Sequence, residues 1–205
     1  MHKTILSLAL LALSAGAQAQ LAPADNAGGI QLRPFLALGL TWGGDKLDSV
    51  EWDNGHSTTI RAGGLVDLRG GVDIHFESPL SVQVSVGYHF QTVNGETTSG
   101  DDGRKTFDRY PIEVLGHWDL SDQWRIGGGA RWSTKPKFSS SGALDVGNVE
   151  FEPRTGAVLE VEYFTSRNLA FKLRGVHEKY KLKGFSTAPE YDGSHIGAYV
   201  SYYFN

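Results

Sequence analysis

The chain has 205 residues, a formal net charge of −4 at neutral pH and no cysteine. That length suits one domain or at most two, and the lack of cysteine excludes both a disulfide scaffold and an anchor through a lipidated N-terminal thiol. A mildly acidic chain with no basic run offers no support for nucleic-acid binding.

Residues 1–19 read as a secretory signal peptide: Lys3 supplies the positive start, Ile5 to Ala15 is apolar, and Ala17-Gln18-Ala19 is a small-residue cleavage pattern. The mature chain is expected to begin at Gln20, and losing Lys3 moves the formal charge from −4 to −5. No stretch approaches the roughly 20 apolar residues of a membrane-spanning helix. Residues 20–30 form a flexible lead-in, and 31–205 a single domain.

From residue 31 the hydrophobic period is two almost without interruption, the signature of strands. The 26 glycines and 11% aromatics agree with an all-β chain. Eight strands are expected, at 31–42, 58–76, 80–92, 106–120, 124–132, 149–164, 169–180 and 194–204. The connections after the second, fourth and sixth are tight, near 77–79, 121–123 and 165–168. The others are long and rich in Gly, Ser, Asp and Thr. Antiparallel neighbours then gather every short turn at one end and every long loop at the other. Transmembrane barrels of the outer membrane have that asymmetry.

Alternation alone does not say which face is inside, so the two faces must be compared. One carries Leu36, Leu38, Leu40, Leu68, Val84, Val86, Ile112, Val114, Leu159, Val161, Phe171, Leu173, Ile196 and Val200, and no charge falls on it across the strand centres. Hydrocarbon imposes that strictness, because Arg or Lys at the midplane costs about 2–4 kcal/mol. The opposite face carries Arg33, Arg61, Arg69, Arg109, Arg125, Arg131, Arg154, Lys172 and Arg174 against Asp67, Asp73, Glu113, Asp119, Glu150, Glu152, Glu160, Glu162 and Glu178. Arginine dominates the cations, as expected where charges pair in a confined space. Gly63, Gly71, Gly87, Gly127, Gly129, Gly156 and Gly197 share that face and leave room for long side chains to cross. In the stretch IRAGGLVDLRGGVDIHF, residues 60–76, the even positions are therefore expected to meet lipid. Arg61, Asp67, Arg69, Asp73 and His75 are expected to point into the lumen.

Aromatic residues mark both ends. Trp42 and Trp132 fall near the outer ends of their strands, and Trp118, Trp124, Tyr163, Tyr202 and Phe204 near the periplasmic ends, as two interfacial girdles would require. The expected fold is thus an all-β, eight-stranded antiparallel up-and-down transmembrane β-barrel. An eight-strand lumen is just wide enough for side chains to fill. The balanced charges are expected to pair as a plug rather than to select ions.

The signal peptide, the eight alternating strands and the terminal YVSYYFN resemble the small outer-membrane barrels of Gram-negative bacteria, of the OmpA transmembrane-domain, OmpX and OmpW types. In that family the last strand carries alternating aromatics and ends on Phe. Here Phe204 is penultimate and Asn205 follows. The resemblance implies residence in the outer membrane, with outer-membrane lipids, lipopolysaccharide and the barrel assembly machinery as partners. It implies a non-enzymatic role in envelope structure or surface interaction, or else a narrow OmpW-type passage for small solutes. A monomer is expected.

Enzymatic relatives of this size exist, and lipid A deacylases of the PagL type use a His and a Ser two residues apart near the outer end of a late strand. His177 and Glu190 stand at comparable places, but Lys179 occupies the position of the serine, so no catalytic residue is expected. The histidines show no HxH or HxxxH spacing, and Asp101 and Asp102 lack the ligand period of a calcium loop. No metal and no cofactor are expected.

Overall fold

The computed structural model describes residues 29–51, 57–96, 102–142, 145, 147–184 and 190–204. The predicted signal peptide, most of the lead-in, Asp101 and Asn205 lie outside the described residues. The elements are β1 (Gln31–Gly43), β2 (Lys46–Glu51), β3 (Ser57–Arg61), β4 (Val66–His75), β5 (Leu80–Glu96), β6 (Asp102–Asp119) and β7 (Trp124–Gly142). They continue with β8 (Val149–Pro153), β9 (Thr155–Phe164), β10 (Leu169–His177), β11 (Lys179–Leu182), β12 (Glu190–Asp192) and β13 (His195–Tyr203).

Eight of these strands close a ring in the order β1–β4–β5–β6–β7–β9–β10–β13, with β13 returning to β1, and every neighbouring pair is antiparallel. Closure leaves no unpaired edge in the wall, which hydrocarbon demands because it cannot hydrogen-bond a free N–H or C=O. The apolar face predicted from the sequence is the outer one: Leu38, Leu68, Val86, Leu159, Leu173 and Ile196 are all exposed on the wall. Trp124 and Tyr163 pack with tilted rings at the periplasmic end, centroids 4.7 Å apart, and Tyr202 and Phe204 lie nearby at 5.0 Å from each other. Trp118 and Tyr202 are exposed at that end, and Trp42 and Trp132 at the outer end.

Beyond the outer girdle the fold departs from the sequence expectation. β5, β6 and β7 run on past the wall, so the loops predicted at 93–105 and 133–148 are largely strand. β8, β11 and β12 extend the β7 edge into a sheet above the membrane. The transition carries a bulge. β7 has one extra residue opposite Asp108 and Tyr110, and Lys135 takes a φ of 50° there.

The predicted strand 58–76 is two strands, and the break sits at Ala62–Leu65. Gly64 has a φ of 72°, a left-handed turn in which a side chain would also strike His89. The turn inverts the phase, so Ile60 and Ala62 are buried in protein and do not meet lipid, and Arg61 is exposed. Above the bilayer the surrounding solvent is water, and apolar residues return to the inside. Ile60, Ala62, Val93, Phe107, Phe138, Phe151 and Tyr180 form one apolar cluster there.

Candidate functional site

Twelve ionised side chains fill the barrel interior: Arg69, Arg109, Arg125, Arg131, Lys172 and Arg174 against Asp67, Asp73, Glu113, Glu160, Glu162 and Glu178, all buried. Alternation on five of the barrel strands points eleven of them inward, Glu178 follows directly after β10, and they meet across the lumen. Arg131 on β7 binds Glu113 through Nη1 at 2.8 Å and Glu178 through Nε at 3.0 Å. Glu113 on β6 also receives Arg69 of β4 and Arg174 of β10, each at 2.5 Å. Arg174 Nε reaches Glu160 at 2.9 Å, and Lys172 lies 3.4 Å from both Glu160 and Glu162. Burying an ion is costly unless partners surround it, and here each cation lies within ion-pair distance of at least one carboxylate.

The outer mouth is closed by backbone. Arg109 donates to the carbonyls of Ala62 at 2.6 Å and Gly63 at 2.9 Å, holding the turn between β3 and β4 in the opening. Its guanidinium also lies over the Phe107 and Tyr180 rings, at 5.3 and 5.6 Å, so the charged plug passes directly into the apolar cluster. The β2–β3 hairpin is tied over that cluster by Gln91, which donates to Thr59 O at 2.8 Å and accepts from Arg61 N at 2.9 Å. Lys105 and Asp48 add an ion pair at 2.7 Å.

Six charged residues assigned to the lumen from sequence are not part of the plug. Arg33 and Asp119 are partly exposed at the periplasmic mouth, where Arg33 lies over the Tyr203 ring at 4.9 Å. They have the inward phase but sit on strand ends. Arg61 follows the inverted phase of β3 and donates to Gly44 O at 3.1 Å. Glu152 and Arg154 are exposed because the predicted strand 149–164 breaks at Arg154. β8 pairs with β11 outside the barrel, and its parity is opposite to that of β9. Glu150 is likewise exposed and pairs with Lys183 at 2.8 Å.

The four lumen-facing histidines among the described residues take three settings. His75 bonds Asp73 at 2.8 Å. His89 and His195 meet edge to face with centroids 4.9 Å apart, a juxtaposition across the lumen that sequence spacing could not disclose. His117, Glu160 and Glu162 bring potential ligand atoms within 4.8 Å of one another. Those carboxylates are already engaged by Arg125, Lys172 and Arg174, so a metal ion there would face three buried cations.

A serine does stand beside His177, although not two residues along the chain. Ser194, before β13, places Oγ 3.0 Å from His177 Nδ1 at the outer end of the wall. Hydrogen bonds from the Ser194 hydroxyl and N–H hold Asp192 below the usual carboxylate range.

A closed antiparallel barrel with an apolar outer wall, aromatic girdles and a charge-filled interior defines an outer-membrane β-barrel. Residues 5–204 match the outer membrane protein beta-barrel domain family, and the chain belongs to it. Among curated proteins no sequence matches. Solved structures of similar fold include Ail, the attachment invasion locus protein of Yersinia pestis, in complex with the heparin analogue sucrose octasulfate, at 12% identity and a TM-score of 0.48, covering 87% of this chain and 100% of that one. Neisserial surface protein A is similar at 14% identity and a TM-score of 0.45, covering 86% and 99%. The outer membrane protein AlkL in DMPC bilayers is similar at 13% and 0.45, covering 90% and 95%. At such identities the likeness concerns the fold alone.

Proposed function

We propose that this outer-membrane protein is a closed, non-enzymatic barrel that serves the envelope through its outer surface. One observation carries the reading: six buried cations face six buried anions beneath an apolar cap. A lumen filled in this way has no ring of a single charge sign to select an ion and no free width for a solute. Outside the membrane the described residues form a sheet and a hairpin with their own core, a platform suited to contact with other surfaces. Outer-membrane lipids, lipopolysaccharide and the assembly machinery are its expected partners, and it acts as a monomer.

The test is complementation of a strain lacking the protein, scored by sensitivity to detergent and to large hydrophobic antibiotics. Wild type restores resistance. A barrel in which residues 46–61 are replaced by a short turn inserts but does not restore it. Full rescue by the truncated barrel would overturn the assignment of the outer platform as the working surface.

A further inference from the structure

Three lipid-facing glycines, Gly116, Gly128 and Gly175, fall on a single register row of the wall. The row runs Trp42, Ile196, Gly175, Leu159, Gly128, Gly116, Val82 across β1, β13, β10, β9, β7, β6 and β5. It begins in the outer girdle and descends obliquely, because the strands of such barrels tilt by ~35–45°. A Cβ at Gly175 would meet nothing within 4 Å, so the wall is notched there. Leu159 and Ile196, 72% and 66% exposed, stand as ridges on either side. The resulting depression, about 490 Å³, is bounded by Trp42, Ala157, Leu159, Ile196 and, at its outer rim, His177 and Ser194.

Width and surroundings decide what fits. Leu159 and Ile196 stand one strand to either side of Gly175, about 9.6 Å apart at the ~4.8 Å strand spacing, and a hydrocarbon chain needs ~3.5–4.0 Å to each wall, so the gap admits one chain. A second barrel would bring a convex wall, which cannot follow a notch one strand wide. The notch lies on the outer side of a wall bathed in lipid, while the residues above it are polar. His177 and Ser194 form a hydrogen-bonded pair at 3.0 Å, and one row further out Arg154 and Lys179 share Glu190 at 3.1 and 3.7 Å. The outer rim of the notch is thus polar, with the cations Arg154 and Lys179 beside Glu190 and with Asp192 accepting from Ser194 N at 2.8 Å.

We propose that the Gly175 notch binds one acyl chain of a phosphorylated outer-leaflet lipid of the lipid A class. His177 and Ser194 meet its ester, and Arg154 and Lys179 its phosphate. The site goes beyond the closed-barrel reading and stands whether or not the lumen conducts. Gly175 carries its specificity, since any larger residue there fills the notch. Packing against a shaped wall drives the binding, because one hydrocarbon surroundings is as apolar as another.

The probe is purified diphosphoryl hexa-acyl lipid A, added to the folded mature protein in detergent micelles and read by native mass spectrometry. Wild type retains one lipid per barrel. Gly175→Leu, whose side chain projects into open space and leaves folding intact by heat-modifiable gel migration, lowers retention roughly tenfold. Val84→Leu, on the wall away from the notch, retains lipid as wild type does. Equal retention by wild type and Gly175→Leu, or no one-to-one species in wild type, would overturn the proposal. A protein dimer lost on Gly175→Leu would overturn it as well, by making the occupant a second barrel.

Discussion

Arg125 on β7 reaches across the lumen to Asp73 on β4, three strands away around the barrel, with Nη1 2.8 Å from Oδ2. The same guanidinium donates through Nε to Glu162 of β9 at 2.5 Å and through Nη2 to the Tyr203 hydroxyl of β13 at 2.6 Å. One side chain thus ties four strands at the periplasmic end, where Tyr203 in turn donates to Glu162 at 2.6 Å. Such a contact closes the lumen and braces its wall at once, so lumen charges report on stability before they report on transport.

Glu113 is the sharpest case, because Arg69, Arg131 and Arg174 all converge on it. Glu113→Gln leaves those cations short of a counter-charge and is expected to cost about 3–5 kcal/mol, the range for breaking a buried ion pair. Urea unfolding in phospholipid vesicles measures it. A loss below about 1 kcal/mol would mean that water or rearrangement compensates, and that the interior is looser than a plug.

Glycine placement inside and outside the wall makes opposite demands. A Cβ at Gly39 would drive into the Tyr199 ring, whose hydroxyl is held on Asp67 at 2.8 Å. Gly39→Ala is expected to lose about 1–3 kcal/mol through overpacking. Gly175→Ala, with open space around it, is expected to leave the midpoint unchanged in the same unfolding assay.

The hairpin over the outer mouth depends on Gln91, whose amide joins β5 to the backbone of β3. Gln91→Leu keeps the size and removes both hydrogen bonds. Limited proteolysis of intact cells is expected to cut the variant between residues 46 and 61 faster than wild type, with the membrane-embedded fragment unchanged in gel mobility.

On the exposed sheet, the hydrogen bond and charge of Lys183 hold the Glu150 carboxyl below its usual range, and Glu150 raises Lys183 in return. The carboxylate's contribution is present above its unfolded pKa, about 4.3, and is lost as pH falls through the lowered folded value. The lysine's is present below about 10.4 and is lost as pH rises through its raised value. Lys183→Ala should therefore move the Glu150 titration, followed by carboxyl NMR, back up toward the ordinary carboxylate range. Barrel melting should not follow it, since both groups are solvated.

Within the bilayer the fold was legible in the sequence because the solvent is uniform there. Hydrocarbon tolerates no charge, so Leu36, Leu38 and Leu40 or Phe171 and Leu173 can face only outward, and their neighbours Arg69, Glu113 and Arg174 only inward. Above the girdle that rule lapses. Ile60 and Phe107 are as apolar as Leu38, yet they turn inward because water lies outside. The parity change at Arg154 and the turn at Gly63-Gly64 leave no mark in a period-two pattern, which therefore points Arg61, Glu152 and Arg154 into the lumen. Ser194, the partner of His177, is hidden for a related reason. It meets His177 across β10 and β13, a neighbourhood set by register rather than by spacing along the chain.

Whether six anions against six cations close the barrel is tested most directly by single-channel current across a planar bilayer, using the folded mature protein from residue 20. A closed lumen predicts a silent bilayer at moderate voltage, with insertion shown independently by heat-modifiable migration of the recovered protein. Reproducible current steps of one defined size would contradict it, and would make the paired interior a conduit instead of a plug.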